Sequence, residues 1–167
     1  MLNSLAITVH AVAATVAFVA GLLSVPGGRW LGIYRSAMAV MAAALVPAVL
    51  VDWSTTDAAA RLAFGGLFLL SAVMVVRAEL AARMAPARTG GPLPAYLAHV
   101  GFTLIALADG FGVVAVLRAG APGWLIAAVA VGVVLVGHLG LEAAKRRLVR
   151  PGRVRAGVGV ALDGQMS

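Results

Sequence analysis

A chain of 167 residues that is 62% hydrophobic and only 11% charged, with a mean hydropathy of +1.03, has more apolar surface than a water-soluble domain can hide, since such domains carry roughly 25% charged residues. Its net charge of +7 does not point to nucleic acid, because the basic residues punctuate apolar stretches instead of forming one solvated face. The absence of cysteine excludes disulfides and thiolate metal sites.

The first apolar segment covers about 5–25 and stops at Pro26-Gly27-Gly28-Arg29. Met1-Leu2-Asn3-Ser4 lacks the basic start of a signal peptide and no small-residue cleavage site precedes Pro26, so a retained first helix is expected. The second segment, about 32–51, contains Pro47 and ends at Asp52-Trp53-Ser54. The third, about 62–82, is cleanly apolar only from Leu62 to Val76 before Arg77, Glu79 and Arg83 intervene. It is the weakest span expected, because 15 residues rising about 1.5 Å each fall short of a hydrocarbon core of about 30 Å. Arg77 would then snorkel toward the interface. The fourth segment runs over about 94–117 and the fifth over about 124–144. Together they predict an all-α, integral membrane bundle of five transmembrane helices within residues 1–150, followed by a basic, loosely ordered tail over 151–167.

Basic residues orient this scheme. Arg29, Arg35, Arg77, Arg83, Arg88, Lys145, Arg146, Arg147, Arg150, Arg153 and Arg155 share one side, and Arg61 and Arg118 the other. An excess of Lys and Arg marks the cytoplasmic face, so the N-terminus is expected outside and the C-terminus inside. The Ala/Val/Gly/Arg-heavy composition suits a GC-rich bacterial genome, and hence a bacterial inner membrane.

Between lipid-solvated helices, close backbone approach at small residues drives association. Ala13, Ala17 and Gly21 supply such a face on the first helix, Ala108 and Gly112 on the fourth, and Ala128 and Gly132 on the fifth. Trp30, Tyr34, Trp53, Tyr96 and Trp124 fall at span ends and read as interfacial anchors.

Ionisable groups at membrane depth are costly and mark candidate sites. Asp109 lies near mid-membrane on the fourth span; His10 and Asp52 approach it from the outer side and Thr103 from below. Such a ladder could relay protons or hold a small cationic ligand. His99 and His138 share the inner leaflet on consecutive antiparallel spans, a spacing compatible with axial ligation of a b-type haem. A single structural hydrogen bond is the plainer reading of Asp109, and pairing with Lys145 or Arg146 the plainer reading of Glu142. There is no phosphate-binding glycine loop, no His-Glu-x-x-His, no partnered nucleophile and no Glu-x-x-His pair, so no catalytic residue and no metal site are expected. An enzyme acting on a lipid or isoprenoid would have to use Asp109 or Glu142 as its acid. The partners expected are the bilayer and, through the small-residue faces, further copies of the chain or a larger membrane complex.

His10-Ala11-Val12-Ala13-Ala14 through Gly21, then Gly28-Arg29 and Gly32-Ile33-Tyr34-Arg35, resemble the opening of an uncharacterised bacterial family of small multi-pass membrane proteins with a first-helix histidine and a Gly-Arg loop. The likeness covers roughly the first 45 residues. It implies a bacterial multi-pass membrane protein and no particular activity. The family carries a further histidine in that loop, where this chain has Trp30 and Leu31.

Overall fold

Apolar runs of this length leave the backbone one way to satisfy its own polar groups in lipid, the α-helix. The computed structural model describes residues 2–50, 57–86 and 92–149, and among them finds five helices and no strand. These are α1 (Leu2–Ser24), α2 (Leu31–Leu50), α3 (Ala58–Arg83), α4 (Leu93–Arg118) and α5 (Gly123–Val149). Asp52, Trp53, Arg88 and the tail from Arg150 onward lie outside the described residues.

Local chemistry ends the helices where the glycines and prolines stand. After α1 the amides of Gly27 and Gly28 turn back onto the Ser24 carbonyl at 3.2 and 2.7 Å. Gly28 takes φ +73°, a left-handed conformation that costs a side-chain-bearing residue about 1–2 kcal/mol. Past α4, Gly120 at φ +72° donates to the Leu117 carbonyl, while Ala121 reaches the Val116 carbonyl at 3.1 Å. That double closure uses carbonyls the helix end would leave orphaned, and Pro122 then starts α5.

The first four helices form a closed ring. α1 packs on α2, α2 on α3, α3 on α4, and α4 returns to α1. α5 lies outside the ring and packs on α4. The core is built from small residues: Ala13, Ala17 and Ala20 on α1, Ala78 and Ala81 on α3, with Tyr34, Met38, Tyr96 and Val100 filling the space between. Leucine, valine and phenylalanine face outward instead, among them Leu62, Leu69, Val136 and Leu139. A protein in water would reverse that distribution; hydrocarbon as the solvent accounts for it.

Four helices contain stretches long and apolar enough to cross a membrane: Ser4–Ser24, Phe64–Arg83, Leu93–Arg118 and Gly123–Leu148. The candidate stretch of the third segment runs over 20 residues, about 30 Å at about 1.5 Å each, and takes in Arg77, Glu79 and Arg83. The shortest apolar stretch belongs to α2, Leu31–Pro47, although the helix continues through Pro47 to Leu50.

Candidate functional site

α4 carries the polar groups of the interior. A helix advances 100° per residue, so Tyr96, Val100, Thr103 and Leu107 fall on one side, and all are buried in the ring. Thr103 has one hydroxyl hydrogen, and it donates to the Val100 carbonyl at 2.8 Å. The Tyr34 hydroxyl of α2, also hydrogen-bonded to Thr103 Oγ1, must therefore be the donor. Tyr96 Oη donates to the Ser24 carbonyl at 2.7 Å, and Ser24 Oγ donates to the Ala20 carbonyl at 2.7 Å. Two tyrosines thus tie α4 to α2 and to the end of α1. Both are fully buried, which overturns their reading as interfacial anchors. Each hydroxyl finds a partner inside, so the ring need not reach headgroup water. Trp30 and Trp124 are exposed as expected.

The other sides of α4 hold two polar atoms without such partners among the described residues. Asp109 follows Ile105 by one turn and precedes Gly112 by three residues, on the side that meets α5. There the Ile105 side chain occupies the space above Gly137, and Val129 and Val133 stand over Gly112. Asp109 Oδ1 is buried and without a hydrogen-bond partner among the described residues. The structural hydrogen bond expected for it is therefore not made by this oxygen. His99 Nδ1 is likewise buried and unpartnered. The charged group within electrostatic reach of His99 is Arg77 of α3, whose guanidinium carbon lies 4.7 Å from the centre of the Phe102 ring on α4. Arg77 thus stacks on an aromatic face within the bundle.

The remaining candidates are dispersed. His10 Nδ1 lies 2.9 Å from the Met41 carbonyl. A carbonyl only accepts, so Nδ1 bears the proton and a neutral ring keeps its lone pair on Nε2. This bond pins the first half of α1 to the second half of α2. His138 is exposed on α5, one turn before Glu142, which pairs with Lys145 at 2.7 Å as the spacing suggested. Among the described residues no group of three or more His, Cys, Asp or Glu side chains could hold a metal ion.

Sequence reading missed the charged link between α2 and α3. Glu79 is ion-paired with Arg35, and its Oε1 lies 3.3 Å from Arg83 Nε. Glu79 and Arg83 are four apart and foreseeable as a helical pair; Arg35 is 44 residues away in sequence and gave no sign of its partner.

Comparison with known protein families, curated proteins and solved structures finds no match to this chain. The likeness of its opening to the small multi-pass family rests on the residues quoted for it alone.

Proposed function

We propose that this protein is a non-enzymatic, five-span protein of the bacterial inner membrane, N-terminus outside, that passes protons or a small cation along α4, alone or as a subunit of a larger assembly. The observation that carries this reading is the pair of unpartnered buried atoms on one helix, Asp109 Oδ1 and His99 Nδ1. Buried polar atoms in folded proteins are nearly always hydrogen-bonded, and in hydrocarbon an orphaned one is costly. A proton, water or cation at these atoms relieves that cost. Ten residues separate His99 from Asp109, about 15 Å of helix rise, or roughly half of a hydrocarbon core of about 30 Å. The Tyr34–Thr103 hydroxyl pair lies between them. His10, whose Nε2 is free to accept, and Asp52 extend the track outward in this scheme.

The experiment is reconstitution of the full chain in proteoliposomes carrying a trapped pH dye. Asp109→Asn keeps size and polarity but cannot take up a proton, so an imposed gradient should dissipate more slowly than with the unaltered protein. Equal rates with equal incorporation would end the proposal.

A b-type haem held by His99 and His138 gains little from the geometry, with one ring beside the cationic Arg77 and the other exposed on α5. Absence of a Soret band after haem-replete expression would remove it. The lipid- or isoprenoid-enzyme alternative is weakened for Glu142, whose carboxylate is held by Lys145.

A further inference from the structure

α2 and α3 part along a groove of about 750 Å3, at the end of the bundle where α2 begins and α3 finishes. Gly32, Arg35 and Ala39 line it from α2, and Val75, Glu79 and Arg83 from α3. Its two ends differ in chemistry. At the mouth, the single carboxylate of Glu79 serves both guanidiniums, so two positive charges face one negative and the rim keeps a net positive charge. Arg35 and Arg83 are 44% and 72% exposed. Arg83 meets Glu79 through Nε, which leaves its terminal nitrogens free to donate elsewhere. Deeper in, the walls are apolar apart from Ser36: Ala39 stands about 6 Å below Arg35, and Val75 about 6 Å below Glu79, at about 1.5 Å per residue.

A site cationic at the interface and apolar for about 6 Å beneath it matches an amphiphile with an anionic head and a hydrocarbon tail. We infer that the α2–α3 groove binds an anionic phospholipid, its phosphate on the guanidinium nitrogens of Arg35 and Arg83 that Glu79 does not engage and one acyl chain against Ala39 and Val75. Arginine suits this role because its planar fork donates in pairs to phosphate oxygens. Gly32 keeps the mouth open. No atom lies within 4 Å of the place its Cβ would take, so a larger side chain there fills the groove without striking the protein.

The test is native mass spectrometry of the full chain in a zwitterionic detergent, titrated with phosphatidylglycerol and with phosphatidylcholine of the same acyl chains. One phosphatidylglycerol should bind per chain, about fivefold more tightly than phosphatidylcholine, the effect of one net surface cation. The Arg35→Gln/Arg83→Gln double variant should lose that preference. Gly32→Leu, which leaves every charge in place and improves helix propensity, should weaken binding of both lipids. Equal affinity for the two lipids, or undiminished phosphatidylglycerol binding in Gly32→Leu, overturns the assignment. So does saturable binding of inorganic phosphate without lipid, which would make the site one for a free anion. A two-chain mass without lipid that returns to one chain in Gly32→Leu would seat a second copy in the groove instead, and also overturns it.

Discussion

Tyr34 and Thr103 meet across α2 and α4 with the roles of donor and acceptor settled by a single hydrogen. Thr103 uses its own proton on the Val100 carbonyl, so Tyr34 supplies the one between them. Tyr34→Phe removes that donor while Thr103 keeps its bond to Val100, and should cost about 1 kcal/mol of stability, the usual worth of one buried hydrogen bond between membrane helices. Unfolding in mixed detergent micelles reads the change. Thr103→Val should cost a similar amount, and the double variant clearly less than the sum, because one shared bond is lost in each case. Asp109 and Thr103 were legible as candidates because polar residues stand out in an apolar span. Tyr34 and Tyr96 were not, since a tyrosine near a span end has the same sequence context whether its ring turns to headgroups or to a neighbouring helix.

Among the elements, α5 has a packing dependence that its own sequence does not disclose. Its glycines look alike in sequence and differ in surroundings. A Cβ at Gly137 would lie 2.6 Å from Ile105 Cγ1, whereas nothing stands within 4 Å of the same position at Gly132 or Gly140. On the facing helix a Cβ at Gly101 would come within 2.5 Å of Leu141 Cδ1. Two large side chains thus seat on two glycines, one from each helix, and the axes approach through them. Gly137→Leu should push α5 from α4 and cost about 1–3 kcal/mol, as overpacking generally does. Gly132→Leu should stay within about 0.5 kcal/mol, as for an uncrowded position. The same unfolding assay on both variants distinguishes them, and equal effects would mean that α5 docks through a different face. The stripe of Ala128 and Gly132, expected from spacing to be a packing face, makes no close contact at Gly132 within the chain. The stripe on α1 behaves as expected, with Ala13 and Ala17 buried and Gly21 so close to α4 that a Cβ there would stand 2.9 Å from Leu104 Cδ2.

Among the described residues, the arrangement is a ring of four helices with a fifth applied from outside. The ring is closed by contacts between α1 and α4, helices far apart in the chain. The five-span topology we propose places the two ends of the chain in opposite compartments. With no native cysteine, single-cysteine labelling has no background: Asn3→Cys should react with an impermeant maleimide added to intact spheroplasts, and Ser167→Cys only after lysis. Labelling of both from the same side would leave an even number of crossings and remove the depth assigned to each candidate.

Composition and periodic breaks determined the helical class, the number of helices and the approximate place of each, because solvation in hydrocarbon demands long apolar runs and glycine or proline marks where they stop. Arg77 and Glu79 read in the sequence only as charges interrupting α3, while the fold gives Arg77 an aromatic face and Glu79 two guanidiniums. Which glycine receives a neighbour's side chain, which tyrosine turns inward, and which carboxylate oxygen is left without a partner among the described residues were decided by tertiary structure alone. Those outcomes depend on how one helix is rotated against another, and residues on facing helices are linked by no spacing that the chain displays.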